Sequence, residues 1–380
     1  MSENSASPAE IKKKVREFVL TKLNSDLIDL DRQEKFNYEG WRECGEFGFQ
    51  GLLIPKAYGG LGTDTISAVA TMEALGYHCQ DNGLIFSIGA HLWACVLPIY
   101  IFGTEAQRQK YLPKLCKGEW IGGHAVSEPE AGSDVYSLQT IARKEGNNYY
   151  ISGRKIFVTN GPVADVHIVF ATLDPSKGKK GITGFIVEKD RSGFIVERQV
   201  SKMGVRTAMM GELNLDNCRV PAENLLGGEG SGVPIFTHSM EWERGFILAG
   251  AVGTMERLLE RCIRYARQRH QFEQSIGKFQ MIASKIAEMK LRLETSRALL
   301  YKVAALKQSG KSALPEAAMA KLHISESWVQ SCMDAIQIHG GRGYLTETEL
   351  ERELRDAIGS QIYSGTSEIQ RLIISQFLGL

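Results

Sequence analysis

The chain has 380 residues, of which 43% are hydrophobic and 23% are charged, and its formal net charge is +1. This is an ordinary globular composition, long enough for two or three domains. The near-zero charge gives no electrostatic reason to expect a nucleic acid or an anionic membrane as partner. No apolar run approaches the ~18 residues that a membrane-spanning helix needs, so we expect no span.

The N-terminal sequence MSENSASPAEIKKK is polar and has no hydrophobic core of the kind found in secretory signals. The seven cysteines are scattered singly, without a C-x-x-C pair. An odd number of isolated cysteines indicates reduced thiols rather than a disulfide framework or a zinc site. We therefore expect a cytoplasmic protein.

The first third of the chain has helical patterns, and residues 1–120 are predicted to form an N-terminal α-helical domain. Ser7, Pro8 and Glu10 have the spacing of a capping box with proline at the first helical position. Ile11, Val15 and Phe18 then fall on one face of the predicted helix. Further apolar helical patterns follow between residues 62 and 118.

The periodicity changes near residue 121, where short runs of β-branched and aromatic residues alternate with turn sequences. Examples are NNYYISGRKIFVTNG and GITGFIVEKDRSGFIVERQV. Closely spaced strands with such turns are typical of antiparallel sheets and barrels. We predict a middle antiparallel, β-barrel-like domain over residues 121–228.

Longer helices return after Gly232, and residues 229–380 are predicted to form a C-terminal four-helix bundle. In MIASKIAEMKLRLETSRALLY the apolar residues recur at helical spacing, namely Ile282, Ile286, Met289, Leu293 and Leu300. They indicate one buried stripe of a bundle helix. The predicted fold class is thus a multidomain α+β protein.

The glycine clusters LLGGEGSGVP and IHGGRGYL do not have the context of a dinucleotide-binding fold, because no parallel βαβ unit surrounds them. Backbone amides there could still hold a phosphate, or the glycines could simply end a helix. The eight histidines lack metal-ligand spacing, so we expect no metal. The segment HAVSEPEAGSDVYS, residues 124–137, is dense in small residues and hydroxyls and is either a cofactor-lining segment or an ordinary loop.

Several segments resemble the acyl-CoA dehydrogenase family over essentially the whole chain. AVSEPEAGSDVYS and QIHGGRGYLTETELERELRD are similar to its two signature segments, in the expected order. IPKAYGGLG, KIFVTNG, RHQFEQSIGKFQ and GTSEIQRLI also match in type and order. The resemblance implies three domains of the kinds predicted above, FAD bound where domains and subunits meet, and a homotetramer.

The resemblance also implies which residues bind FAD. Ser127 and Ser133 correspond to hydroxyls near the flavin, with Ser133 also bordering the thioester channel, and Thr159 to the residue at the flavin N5 edge. Phe157 stands where many members have tryptophan over the outer flavin face. The remaining implied contacts are adenine-side residues donated by a neighbouring subunit (Arg269, Phe272 and Gln280), pyrophosphate contacts (Gln337 and Gly341) and residues at the other end of the cofactor (Thr366 and Glu368).

The family reaction needs a carboxylate base to remove the Cα proton of an acyl thioester, and donors at its carbonyl oxygen. Many members carry that base in a Y-E-G-T-S segment, which here reads YSGTS with Ser364 at its second position. The branch resembling isovaleryl-CoA dehydrogenase has the glutamate on a bundle helix instead. The matching segment SMEWERGFILAG implies that Glu243 is the catalytic base, with Arg244 and Ser364 at the substrate, Ser364 through its backbone N–H.

The expected reaction is an FAD-dependent α,β-dehydrogenation of an acyl thioester. The resemblance points to biosynthetic members that oxidise a prolyl or other aminoacyl group on a carrier protein's phosphopantetheine. A branched or short-chain acyl-CoA is the alternative substrate, and a non-catalytic flavin-binding protein is the alternative function. The electron acceptor is expected to be either an electron-transferring flavoprotein or O₂.

Overall fold

The computed structural model describes residues 8–23 and 26–380, so the proposed cap Ser7 lies outside the described residues. The N-terminal helices are α1 (Pro8–Lys22), α2 (Leu27–Gln33), α3 (Tyr38–Phe47), α4 (Thr65–His78), α5 (Asn82–His91), α6 (Leu97–Phe102) and α7 (Glu105–Cys116). The stripe predicted on α1 is confirmed, since Ile11 and Val15 are buried and Phe18 packs against the same core.

The expectation that no apolar run reaches membrane-spanning length is wrong. Asn82–Phe102 forms a continuous helical stretch of 21 residues, with a π-helical turn between α5 and α6 and a mean hydropathy of 1.9 in its most apolar window. By length and composition it could cross a membrane. However, 83% of that window is buried inside the protein, which is typical of a core helix.

The middle block is a mixed sheet of eight strands, and its existence confirms the predicted β-domain. The strands are β1 (Gly122–Ala125), β2 (Ile141–Glu145), β3 (Asn148–Thr159), β4 (Val166–Thr172), β5 (Ile182–Glu188), β6 (Phe194–Gln199), β7 (Met210–Pro221) and β8 (Leu225–Leu226). Their order is β6-β7-β3-β2-β4-β5-β8, and β1 lies beside β4. Most neighbours are antiparallel, but β1 and β2 each pair with β4 in parallel. Closure into a barrel stays a prediction.

The C-terminal block contains the predicted bundle. Its elements are α8 (Gly232–Phe246), α9 (Ala249–Gln268), a hairpin of β9 (His270–Gln271) and β10 (Gln274–Ser275), α10 (Gln280–Gln308), α11 (Leu314–His339), α12 (Leu350–Gly359) and α13 (Ser367–Phe377). Helices α8 to α11 pack on one another, and on α10 the side chains of Met289, Leu293 and Leu300 are buried as predicted. Ile282 and Ile286 are only partly buried.

The two helical blocks share one hydrophobic core, while a second core lies within the β-domain. Helices α4 and α9 cross closely because glycines line their contact. A Cβ added to Gly76 would lie 1.9 Å from the carbonyl oxygen of Gly250, and one added to Gly253 would lie 2.0 Å from that of Glu73. The close crossing fixes α9, and with it the adjoining α8, against the N-terminal block. The exact domain boundaries stay predictions.

Candidate active site

Helix α8 carries two glutamates near its C-terminal end, and their environments differ. Glu241 is buried and accepts hydrogen bonds from the Ala313 backbone N–H and from Ser312 Oγ at 3.2 Å. Its second oxygen lies 3.0 Å from Lys307 Nζ. Both carboxylate oxygens of Glu241 are therefore used in contacts that join α8 to the end of α10 and the start of α11.

Glu243 lies on another face of α8, since residues two apart in a helix point in different directions. It accepts a hydrogen bond from Ser364 Oγ. Burial raises the pKa of the Glu243 carboxyl, against the opposing effects of the Ser364 hydrogen bond and of the Arg244 and Lys321 charges. A partly buried carboxylate with a raised pKa can accept a proton, which is the property that a general base requires.

Arg244 follows Glu243 and connects α8 to the segment after α12. Its Nε donates to the Ser364 carbonyl oxygen at 3.2 Å. Burial lowers the pKa of Arg244, and the nearby Glu243 and Tyr136 oppose that effect. Tyr136 belongs to the loop between β1 and β2, so this loop and α8 approach each other beside Glu243.

The segment after α12 places Ser364 and Gly365 in the left-handed region, at φ 57° and φ 89°. Tyr363, just before them, packs on Phe86 with ring centroids 4.3 Å apart. Glu243, Arg244 and Ser364, which the sequence predicts as catalytic and substrate-binding residues, are thus brought into direct contact. Their roles stay predictions.

The loop after β1 contains Ser127, which is half-buried, and Ser133, which is exposed. Behind this loop lies a buried ion pair that the sequence analysis missed: Lys155 Nζ is 2.7 Å from Glu128 Oε1, with side chains 0% and 4% exposed. Glu128 also accepts from the Thr140 backbone N–H at 3.1 Å. The pair holds the loop against β3.

On β3, the pairing with β7 shifts register between Lys155 and Val158. Phe157 lies in this bulge with φ 55°, and its side chain is 61% exposed. A bulky residue at positive φ, with an exposed ring, is an outlier that points to a functional constraint. The backbone carbonyl oxygen of Ser127 accepts from the Ile156 N–H at 2.9 Å, and half-buried Thr159 ends the strand, so these three predicted flavin contacts lie close to the bulge.

The predicted adenine-side residues lie on and beside the β9–β10 hairpin. Arg269 precedes β9, Phe272 is in the two-residue turn, and Gln280 begins α10; all three are exposed. Phe272 is 87% exposed with φ 49° and has its ring centroid 6.1 Å from that of Phe279. An exposed aromatic at the tip of a hairpin is placed to reach beyond its own chain.

Gln337 is exposed on the last turn of α11, and Gly341 lies just beyond it. A Cβ added to Gly341 would meet none of the described residues within 4 Å, so its backbone is openly accessible.

Thr366 caps α13, accepting from the Ile369 backbone N–H at 3.3 Å, and Glu368 is exposed in the first turn. Tyr265 stacks on His339 at 4.2 Å, which joins the ends of α9 and α11 and so links the hairpin to Gly341.

Lys321 and Gln370 are two further residues that the sequence analysis did not select. Both side chains are 0% exposed, and both bond the Gly365 carbonyl oxygen at 2.8 Å. No signal in the sequence separates this lysine from a surface lysine on a helix. No group of three or more His, Cys, Asp or Glu residues that could hold a metal ion occurs within residues 8–23 and 26–380.

The surfaces described above fit FAD. An exposed aromatic ring beside two hydroxyl residues suits a flavin ring, and an open glycine backbone suits a pyrophosphate. The exposed hairpin suits a contact made across a subunit boundary.

Family models match nearly the whole chain. The acyl-CoA dehydrogenase N-terminal domain matches residues 5–119, the middle domain residues 123–218 and the C-terminal domain residues 230–379. The chain belongs to the acyl-CoA dehydrogenase family. It is therefore an FAD-dependent oxidoreductase acting on CH–CH bonds, as the sequence resemblance implied.

Similar proteins include an L-prolyl-[peptidyl-carrier protein] dehydrogenase of Pseudomonas fluorescens, which is 43% identical over 91% of this chain and 91% of that protein. The crystal structure of the prolyl acyl carrier protein oxidase AnaB superposes with a TM-score of 0.98 at 58% identity, covering 99% of this chain and 100% of AnaB. A structure of PigA with FAD and proline gives a TM-score of 0.96 at 38% identity, covering 100% of both chains.

Proposed function

We propose that the chain oxidises the Cα–Cβ bond of a prolyl group attached as a thioester to a carrier protein. The observation that carries the proposal is the partly buried carboxylate of Glu243, which accepts a hydrogen bond from Ser364 at the position where many family members hold their base. The choice of a prolyl group rests on the relatives, since both AnaB and the Pseudomonas protein are named for prolyl groups on carrier proteins.

In the proposed reaction, Glu243 removes the proton from Cα of the acyl group. FAD, when bound, supplies the acceptor for the two electrons that leave Cβ with its hydrogen. As the Cα proton is removed, negative charge develops on the thioester carbonyl oxygen, and a backbone N–H directed at it stabilises that charge. The Ser364 N–H is the proposed donor, and Arg244 and Ser133 are proposed to position the substrate.

The proposed FAD-binding surface consists of the residues predicted from the sequence. Ser127, Ser133, Phe157 and Thr159 would contact the flavin, and Gln337 and Gly341 the pyrophosphate. Thr366 and Glu368 would contact the other end of the cofactor. Arg269, Phe272 and Gln280 would reach the adenine side of a cofactor bound mainly by another subunit, as the exposed hairpin allows.

That last role requires an oligomer, and we propose a homotetramer. Helix α10 carries exposed apolar side chains, with Met281 79% and Leu291 57% exposed, and α13 exposes Leu372 and Phe377. Exposed apolar residues concentrated on two helices are typical of subunit contacts. We further propose a cytoplasmic location and either an electron-transferring flavoprotein or O₂ as electron acceptor.

A second candidate substrate is a branched-chain acyl-CoA, because a base on α8 is the arrangement of the isovaleryl-type branch. A carrier-bound thioester and CoA present the same pantetheine arm to the channel. The base therefore does not distinguish them, and the substrate must be tested directly.

The test is anaerobic reduction of the bound flavin by a panel of thioesters: prolyl carrier protein, isovaleryl-CoA and straight-chain acyl-CoAs. We expect the prolyl carrier protein to bleach the flavin absorbance fastest. Faster bleaching by isovaleryl-CoA would overturn the prolyl substrate, and no bleaching by any thioester would indicate a non-catalytic flavoprotein. Peroxide formed in equal amount to product in air would identify O₂ as acceptor.

A further inference from the structure

Two consecutive residues beside the proposed base have left-handed backbone conformations, Ser364 at φ 57° and Gly365 at φ 89°. Glycine adopts this conformation readily, whereas serine does so rarely and at a free-energy cost. Ser364 therefore needs surrounding contacts that hold it. Those contacts also decide whether its hydroxyl reaches Glu243.

The carbonyl oxygens of these two residues are held by side chains from three helices, of which Lys321 and Gln370 are buried and Arg244 is partly buried. Lys321 Nζ on α11 and Gln370 Nε2 on α13 each donate to the Gly365 oxygen at 2.8 Å. Gln370 Nε2 also lies 3.3 Å from the Ser364 oxygen, and Arg244 Nε on α8 lies 3.2 Å from it. The peptide between Ser364 and Gly365 is thus fixed relative to the helix that carries Glu243.

Lys321 is the unusual member of this group because its side chain is fully buried, and lysine is rarely buried without a reason. The charged groups that act on it are Arg244 and Glu243 from α8, Glu326 from its own helix and Glu368 from α13. Burial and Arg244 lower the pKa of Lys321 to about 8, against the three carboxylates. At neutral pH it is still mostly a cation.

We propose that Lys321 is a positioning residue for the base: its bond to the Gly365 carbonyl holds Ser364 where its hydroxyl meets Glu243, and its buried positive charge favours the ionised carboxylate. The inference rests on the proposed role of Glu243. It assigns to α11 a part in proton abstraction although no group of α11 need touch the substrate.

Two substitutions separate the two parts of this role. Lys321→Met removes both the donor and the charge, whereas Lys321→Gln keeps an amide donor and removes only the charge. An opposite charge nearby typically lowers the pKa of a carboxyl by about 1–3 units, so both variants should move the pH of half-maximal flavin reduction upward by about one unit. Lys321→Met should move it further, by about 1–2 units more, because without the lysine donor the Ser364 hydroxyl is no longer held against Glu243. Lys321→Arg should keep the wild-type pH midpoint.

Lys307→Met is the matched control. Lys307 is also buried, with 8% of its side chain exposed, but it pairs with Glu241 and not with the segment after α12. This variant should lower the midpoint of thermal unfolding without moving the pH midpoint of flavin reduction.

The titration of Glu243 can also be measured without turnover. The infrared band of its protonated carboxyl, isolated as the difference between wild type and Glu243→Gln, should titrate at higher pH in Lys321→Gln than in a background with Lys321. If Lys321→Met does not fold, the pH midpoint of flavin reduction and the infrared midpoint of Lys321→Gln still test the proposed role of Lys321. Unchanged pH midpoints in the Lys321 variants, with Glu243→Gln inactive, would overturn this inference alone. Full activity of Glu243→Gln would overturn the proposed function itself.

Discussion

The hydroxyl of Ser364 donates a hydrogen bond to the carboxylate of Glu243, across the contact between the segment after α12 and helix α8. The serine at the usual position of the family's base is therefore a direct partner of the carboxylate proposed to replace it. A hydrogen bond to the ionised form lowers the pKa of a carboxyl, and it opposes the effect of burial here.

Removing that hydroxyl should change the pH dependence of the reaction. In Ser364→Ala the pKa of Glu243 should rise by about 1–2 units, the size of a hydrogen bond to a charged group. Because Glu243 must be ionised to accept the proton, the half-maximal rate should move to higher pH, while the rate at high pH stays near that of the wild type. The measurement is the rate of anaerobic flavin reduction across pH.

Ser364→Gly is the control for the backbone at this position. Alanine at φ 57° is strained and glycine is not, although both lack the hydroxyl. Equal pH shifts in the two variants would assign the effect to the hydrogen bond. A shift in Ser364→Ala alone would assign it to the backbone and contradict the prediction.

Lys155→Met should destabilise the β-domain. Breaking a buried ion pair by removing one partner typically costs about 3–5 kcal/mol, because the remaining charge is buried without compensation. Urea unfolding of the apoprotein should show the loss, and FAD should dissociate more readily because Glu128 anchors the loop of Ser127. Lys144→Met, which breaks the exposed pair with Glu229, is the control and should leave the urea unfolding curve almost unchanged. Equal losses in the two variants would contradict this account.

The Lys155–Glu128 pair should also make stability depend on pH. Burial alone would raise the pKa of Glu128, but the Lys155 charge and the hydrogen bonds outweigh it and leave the pKa below its usual value. A group whose pKa is lowered on folding stabilises the protein above its unfolded pKa, about 4.3 for glutamate, and loses that contribution as pH falls further. In Lys155→Met this loss on acidification should disappear or reverse, as unfolding midpoints at pH 7 and pH 3 would show.

Phe157→Gly should stabilise the apoprotein and weaken cofactor binding. Glycine relieves the positive φ at no steric cost, and the lost ring is mostly exposed, so little burial is given up. FAD affinity should fall because the ring is proposed to cover the flavin, and Phe157→Trp should retain it. Apoprotein unfolding and FAD titration measure the two effects separately. A Phe157→Gly protein with unchanged FAD affinity would exclude the proposed contact.

The three-part fold was predictable because its periodicities are long and strong. The apolar stripes of α1 and α10 and the closely spaced strands after residue 121 are local signals, and the structure confirms them. The length of the apolar segment Asn82–Phe102 was predicted wrongly. Asn82, Ser87 and His91 interrupt its apolar residues, but none of the three is an ionised carboxylate or a permanent cation, so the helix as a whole stays strongly apolar.

A motif resemblance named Glu243 as the base, because Ser364 stands where many members carry a carboxylate. The structure brings the two residues into contact, and the role of Glu243 stays a prediction. Lys321 was not predicted, because its burial depends on how α11, α8 and α13 pack. The local sequence AAMAKLHI gives no sign that the lysine is buried. The positive φ of Phe157 comes from a register shift between β3 and β7. Such a shift depends on two strands distant in sequence, and neither strand shows it alone.

The central claim is that Glu243, and not its neighbour Glu241, removes the substrate proton. It is tested most directly by mixing FAD-loaded Glu243→Gln with L-prolyl carrier protein anaerobically and following flavin absorbance, beside Glu241→Gln as the matched control. A general base typically contributes about 10²–10⁴-fold to the rate. Glu243→Gln should therefore bind the thioester but reduce its flavin at least about 10²-fold more slowly than the wild type. Folded Glu241→Gln should stay near the wild-type rate. Flavin reduction at the wild-type rate in Glu243→Gln would contradict the account.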